Sequence, residues 1–577
     1  NHYEQRKKEP KKERCRSENN SPSYYPSQHQ DNNNIINFSV LIKGSTLNFL
    51  NLLRYKKSFG EHNLEILVAH ESNSNESKYF YANKSMAVVP DIDDLDNFII
   101  VSSPPGSYTD KNTLESYFSQ LSYNFQSKYY FTASARRDGS SRFIGKNKWD
   151  NFGSVGLSWI LTKESFMQSL SFVDFLKFKV SYGIMGEQAG VGLYPGFNTF
   201  SVSNLNDQIS ISPLGIGNPD LTWEKSKMFQ TGIEFRLKKY IDATFDYYIK
   251  NTDNLIFDRR VGPSVGYALL TVNDGVLRNS GIEFDVTAHL LKGKDYGLDL
   301  TVNGEFLTNE LTAMPVDPAT GKPKILDIQG MYGRSNGHSL YDFYTREWAG
   351  VDPADGTAMW YQNYHDLNGN GRYDSGEGIA SLYEYQVANP DSSISIATTK
   401  TYANATQKFV GKSAVPKVRG AFRLEGNYKN FDISAQFIYS LGGYAYDGAY
   451  ATLMGNPIIG GNNWSTDIMG RWQKPGDITN VPRLSSNYDV NVNSSSTRFI
   501  TSSNFLAFNN IRIGYTFTSK LVKRFGMSSL NIFVAGDNLM LLSARDGFNP
   551  ATNEVGESDM YRYSPLTTYT AGLRVKF

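Results

Sequence analysis

The sequence predicts an all-β protein, an antiparallel transmembrane β-barrel. Three observations carry this: two-residue alternation of apolar and polar side chains, connections that alternate between short and long, and a composition both aromatic and hydrophilic. The chain has 37 Tyr, 35 Phe and 7 Trp, 14% of its 577 residues, yet its mean hydropathy is −0.43. A barrel wall reconciles the two, because only alternate residues face lipid and aromatic girdles mark both interfaces. Its length exceeds the ~250–300 residues at which a single core stops growing, leaving several domains or one very large sheet. The formal charge is +1, from 58 basic and 57 acidic residues, so no global field attracts nucleic acid and no nucleic-acid partner is expected. A single cysteine, Cys15, excludes a disulfide framework and a cysteine-based zinc site. No apolar run reaches the ~18 residues that a membrane-spanning helix needs.

Taken in order, residues 1–35 are polar and charged, with the basic stretch RKKEPKKERCR followed by Ser/Asn/Gln/Pro-rich sequence. This composition predicts a disordered arm, and Glu4, Glu9, Glu13 and Glu18 break up its positive charge. Residues 36–577 carry the period-two signal. Phe229, Thr231, Ile233, Phe235 and Leu237 share one face, opposite Gln230, Gly232, Glu234 and Arg236. After a Lys238-Lys239 turn, Ile241, Ala243, Phe245, Tyr247 and Ile249 alternate with Asp242, Thr244, Asp246, Tyr248 and Lys250. Two strands joined by a minimal turn are the consequence. The pattern recurs around Ile282–Leu290 and Leu298–Val302, and around Phe422–Tyr428 and Phe431–Tyr439. It also runs from Tyr117 through Gln126-Ser127-Lys128 to Tyr130. Further strands are expected near 45–56, 62–72, 150–162, 173–185, 505–518, 528–542 and 567–577, giving about fifteen in all. The other connections are long: about 190–222, 258–278, 310–416 and 443–504. Short turns at one end and long loops at the other match outer-membrane barrels, whose long loops face outward. Helical periodicity is scarce, LTKESFMQSL at 161–170 being a turn or two. The last strand ends on Phe577, as the assembly signal of bacterial outer-membrane barrels does.

Several stretches together resemble the SusC/RagA-like family of TonB-linked outer-membrane transporters of Bacteroidota. The most specific are YYFTASARRDGSSRF at 129–143 and WDNFGSVGLSWILTKESF at 149–166. LKFKVSYGIMGEQ (176–188), NPDLTWEKSKMFQTGIEF (218–235), AGVDPADG (349–356), FLAFNNIRIGYTF (505–517) and VAGDNLMLLSARDGFNP (534–550) follow in the family's order. The resemblance implies a barrel of about twenty-two strands filled by a plug. It also implies a TonB box pulled by the inner-membrane TonB complex, and a SusD-like lipoprotein lid that captures glycans or peptides. This chain shows about fifteen strands and no recognisable plug or TonB box. It therefore reads as the carboxyl-terminal part of a transporter, a fragment or a truncated product, with TonB coupling expected through the missing amino-terminal region. A surface glycan-binding or adhesive β-protein is the alternative reading.

The sharpest local motif is DLNGNGRYDSGE at 366–377. Asp366, Asn368, Asn370, Asp374 and Glu377 occupy positions 1, 3, 5, 9 and 12 of an EF-hand-like loop. Gly371 holds the sharp turn, and Arg372 would offer its backbone carbonyl. Calcium wants six to eight oxygens, and this spacing aims five side chains and one carbonyl inward. An Asn/Gly-rich turn would produce a similar string by composition, but every ligand position is filled, so a structural Ca2+ is expected, without flanking helices. The resembled family often carries an Asp-x-Asn-Gly-Asp-Gly segment near this place. No catalytic constellation appears: the seven His give no metal-ligand spacing, and the Gly-rich stretches lack a phosphate-loop lysine. Trp360, Tyr361, Tyr364, Trp464 and Trp472 are read as packing or girdle residues in preference to sugar-stacking ones.

Overall fold

The computed structural model describes residues 16–17, 36–89, 92, 94–260, 269–317, 320–455, 463–485, 489, 491–517, 519–552 and 565–577. The arm expected at 1–35 therefore lies, but for Arg16 and Ser17, outside the described residues. The described regular structure is a large antiparallel sheet in which hairpin neighbours pair in sequence order, with two- to four-stranded sheets set into the long connections. The sheet has sixteen strands, one of them the two-residue Arg16–Ser17. The chain divides into two compact units. The first comprises residues 1–157, 182–227 and 254–273, the second 158–181, 228–253 and 274–577.

In the first unit the strand Ile36–Phe59 pairs with His62–Ala87 in unbroken register, from Ile36 opposite Ser85 to Phe59 opposite His62. Phe98–Phe125 and Tyr129–Ser140 continue the ladder. His62–Ala87 runs past the expected 62–72 through Glu71–Lys78, which is polar on both faces and lacks the alternation that marks a half-buried strand. Ile36–Phe59 begins ahead of the expected 45, along Ile36, Phe38 and Val40, which alternate with Asn37 and Ser39. The tight turns use left-handed backbone at Gly60, Gln126 and Ser127. The connection at 190–222 contains a hairpin, Thr199–Leu205 with Gln208–Gly215, turned by left-handed Asn206 and Asp207. Its signal was present in the alternation of VSNLNDQISI around Asn-Asp. Phe143, Val191, Leu221 and Trp223 form a small core, flanked by Leu114, Phe152 and Ile256.

In the second unit eight strands succeed one another: Ile241–Asp253, Val276–Lys292, Tyr296–Ala313, Val418–Tyr428, Phe431–Leu441, Phe505–Phe517, Ser529–Leu542 and Thr568–Lys576. Most have the nine or more residues that cross a bilayer when tilted. In Ile241–Asp253 the burial is inverted relative to a water-soluble sheet. Phe245 and Tyr247 are 37% and 42% exposed, whereas Asp246 and Tyr248 on the opposite face are 8% and 7% exposed. Apolar rows continue across neighbours: Phe235, Phe245, Phe284 and Phe306 lie ring by ring at 6.2, 6.5 and 6.0 Å, and Phe422, Phe437 and Phe508 stack at 4.7 and 4.5 Å. An outward apolar face of this extent has its natural solvent in lipid.

The long connections are themselves folded. Residues 314–417 contain a four-stranded sheet (Asp327–Gln329, Tyr332–Arg334, Asp342–Arg346, Gln407–Ser413) and a three-stranded one (Trp348–Val351, Ala358–Tyr364, Ser395–Thr399). The helical segments there are short, such as Leu382–Ala388 and Gly448–Leu453. As expected, 161–170 holds only 3-10 turns, at Leu161–Lys163 and Ser165–Met167.

Candidate functional site

Two features of the second unit carry chemistry: the folded loops that follow the long strands, and the polar face of the strands themselves. The loop 366–377 hangs from the strand Ala358–Tyr364, closed at its base where Tyr364 bridges Gly378 and the Ile379 N–H donates to Asn363 O at 2.9 Å. Asp366 organises its first half. Oδ1 accepts from the backbone N–H of Gly369 (2.7 Å) and Asn370 (3.1 Å), and Oδ2 from that of Gly371 (2.7 Å). These donors, Gly371 foremost, hold the Asp366 carboxyl below the usual carboxylate range. Gly371 adopts φ 73°, the left-handed turn that its sequence position requires.

The other positions are tied by hydrogen bonds within the loop. The Asn368 and Asn370 amides each donate to Asp374 Oδ2 at 2.7 Å. Glu377, 7% exposed, accepts from the Leu367 N–H at 3.0 Å and the Asp374 N–H at 2.9 Å. The Arg372 N–H donates to Asn370 Oδ1 at 2.7 Å. The donor set is oxygen-rich and suits a hard cation. In this arrangement, however, the amide nitrogens face Asp374, and among the described residues no three His, Cys, Asp or Glu side chains gather closely enough to hold a metal. The two amide oxygens are engaged as well, Asn368 Oδ1 accepting from the Asn370 N–H at 3.0 Å and Asn370 Oδ1 from the Arg372 N–H at 2.7 Å. No helix precedes the loop. The seven-residue helix Leu382–Ala388 begins four residues beyond Gly378, a departure from the expectation of no flanking helix.

The loop aromatics pack. Trp360 (3% exposed) and Tyr364 (4%) are buried, Trp360 edge-on to Trp348 and Tyr402. Tyr361 is half-buried and pairs in register with Thr398. Trp464 packs on the Ala451, Met454, Ile468 and Phe499 cluster. The Trp472 ring covers Gly356, and its Nε1 donates to Pro353 O at 3.0 Å. Ion pairs tie distant loops together: Arg545 donates to Asp447 Oδ2 at 2.6 and 3.1 Å, and Lys400 bridges Asp352 and Asp355 at 2.6 and 2.9 Å. Arg498 lies over Trp348 and Phe499, and burial pulls its pKa down to about 10.

On the polar strand face, Asp246, Glu283, Glu305 and Arg419 stand directly opposite one another across four strands. Lys179 pairs with Asp246 at 2.9 Å and with Glu234 at 3.3 Å, and Arg419 with Glu305 at 3.0 Å. Sequence spacing within one strand held no signal for this row, because register between strands creates it. In the first unit the ARRDGSSRF segment is likewise a tie: Arg136 Nε pairs with buried Asp138 at 2.7 Å, and Arg142 donates to Gln188 O and Val191 O. A Cβ at Gly139 would fall 2.7 Å from the Trp149 ring, so that position requires glycine.

Comparisons with known proteins agree on one group. The family model described as TonB dependent receptor-like, beta-barrel, matches residues 12–323. TonB-dependent receptor P39 of Formosa agariphila is 28% identical over 504 residues, 82% of this chain and 47% of that protein. TonB-dependent receptor SusC of Bacteroides thetaiotaomicron is 26% identical over 495 residues, 82% of this chain and 44% of that protein. The solved RagAB peptide transporter superposes with a TM-score of 0.77 at 23% identity, over 94% of this chain and 56% of that one. The chain thus spans about half the length of the curated relatives it matches.

Proposed function

Because this chain belongs to the TonB dependent receptor-like β-barrel family, a family of outer-membrane receptors and transporters, we propose that it forms wall and outer loops of a SusC-like nutrient importer. In this reading it admits glycans or peptides, is driven by the TonB complex, and works beneath a SusD-like lipoprotein lid. The observation that carries the reading is the two-faced strand: in Ile241–Asp253 Phe245 and Tyr247 are exposed while Asp246 and Tyr248 opposite them are buried, in hairpins whose short turns alternate with long connections. A polar inner face lined by Asp246, Glu283, Glu305 and Arg419 suits hydrated substrates. No step calls for a catalytic group, and the family is not one of enzymes.

The test is migration on a gel, unboiled and boiled, after folding into detergent, followed by a pull-down from native outer membrane. A heat-dependent shift together with an enriched lipoprotein supports the whole reading. A shift without the lipoprotein removes the lid and leaves the barrel. A chain that stays soluble without detergent and shows no shift refutes the transporter.

We further propose that loop 366–377 takes one structural Ca2+ through Asp366, Asn368, Asn370, Asp374, Glu377 and the Arg372 carbonyl. The support is the oxygen-rich side chains at the spacing of an EF-hand loop and the left-handed Gly371. Calcium would brace the loop base at the Tyr364–Gly378 bridge.

A further inference from the structure

The three neighbouring short turns of the second unit share a feature that transport does not use. Residues 237–241, 291–297 and 427–431 read LKKYI, LKGKDYG and NYKNF, five lysines against one carboxylate, Asp295. The backbone sets them side by side: His289 N–H donates to Tyr240 O at 2.7 Å, and Lys429 N–H to Asp295 O at 2.6 Å. Lys238, Lys239, Lys292, Lys294 and Lys429 are all exposed, and none of the five is held in an ion pair among the described residues. Several carboxylates of the same strands are already engaged: Asp242 by Arg236 and His289, Asp299 by His289, Asp432 by Arg512, and Glu425 by Arg423. The turns therefore carry a net positive charge that no ion pair among the described residues offsets.

An aromatic row lies directly against these lysines. Tyr296, Tyr428, Phe431 and Tyr515 are opposed residue by residue across four successive strands. Tyr296, Tyr428 and Phe431 are exposed, and the Phe431 and Tyr515 rings meet edge-on at 4.7 Å. Lys239 lies 5.7 Å over Tyr240, and Lys429 5.4 Å over Tyr428. Tyr rings seat at the boundary between hydrocarbon and water, and lysine stems follow apolar surface while the ammonium reaches the polar layer.

We propose that this edge is a binding surface for anionic phospholipid headgroups, the aromatic row fixing its depth and the five lysines taking the phosphates. The inference rests on the transmembrane reading above and adds lipid selectivity to it. Charge complementarity chooses the occupant: zwitterionic headgroups carry no net charge for five unpaired ammonium groups, whereas an anionic leaflet attracts each basic residue by about fivefold in affinity.

The experiment folds the full 577-residue chain into detergent micelles containing equal amounts of phosphatidylglycerol and phosphatidylcholine. Retained lipid is measured by mass spectrometry after gel filtration, and heat-modifiability is scored on the same samples. The expected result is a phosphatidylglycerol enrichment of about fivefold or more that declines in high salt. K238Q/K239Q/K292Q/K294Q/K429Q should bring it near parity while keeping the heat shift. The control K322Q/K474Q, exposed lysines of the long loops, should keep the enrichment. A wild-type chain with the heat shift but no enrichment overturns the lipid site alone, as does unchanged enrichment in the five-lysine variant. Absence of the heat shift in the wild type overturns the transmembrane reading and this inference with it.

Discussion

Removing the Asp447 carboxylate should loosen the outer loops of the second unit by a calculable amount. Asp447 is 2% exposed; it accepts the Tyr450 N–H at 3.0 Å to cap the helix Gly448–Leu453 and takes Arg545 through Nη2 and Nε. Arg545 in turn lies 4.5 Å over the Tyr450 ring, whose hydroxyl donates to Asp467 at 2.7 Å. Breaking a buried pair costs about 3–5 kcal/mol, and a lost cap about 1 kcal/mol. The Arg545 side chain is 31% exposed and can turn partly to water, which discounts the pair to about 2 kcal/mol, and the cap brings the total to about 3 kcal/mol. At ~1.4 kcal/mol per decade this is about a hundredfold rise in local opening. Hydrogen exchange reads it at the Ala451 and Met454 amides, which bond to Asp447 O and Tyr450 O. D447A should exchange about a hundredfold faster, and D447N, which keeps the cap acceptor and loses the charge, should fall between the two. Protection in D447A within about threefold of wild type would refute the claim that this pair holds the loops.

Three further outcomes follow from the same structure. Chelation should lower the thermal midpoint of the wild-type chain and leave D366A unmoved; equal responses would retire the calcium loop. V534R places a cation on an outward position that is 55% exposed. It should cost about 2–4 kcal/mol of stability in a bilayer and almost nothing if that face met water, as refolding yield into vesicles would show. Lys400 is the main cause holding the Asp352 and Asp355 carboxyls below their usual range. Depressed carboxylates stabilise the fold above about pH 4, and the contribution is lost as pH falls through their folded pKa values. K400Q should therefore flatten the acid limb of the midpoint-versus-pH curve, and an unchanged limb would show that the bridge is idle.

Alternation is a local property, and so the faces of Ile241–Asp253 and Phe431–Leu441, the tight Lys238-Lys239 and Lys429-Asn430 turns and the transmembrane class were legible residue by residue. The sharp turn at Gly371 in the loop 366–377 was legible for the same reason, since its signal falls within twelve consecutive residues. The far end of His62–Ala87 was not, because the stretch Glu71–Lys78, polar on both faces, loses its period while keeping its backbone hydrogen bonds.

What the sequence determined by itself, then, is the two-faced strand and the alternation of turn and loop that make the chain a membrane wall. Tertiary structure decided what stands beside what. The row from Asp246 to Arg419, the aromatic line from Tyr296 to Tyr515 and the Asp447–Arg545 pair join residues far apart in the chain. Such meetings depend on register, and shifting one strand by a single residue turns every side chain to the other face. Only the summed hydrogen bonds and packing of neighbouring strands fix that choice, and no single segment of sequence contains it.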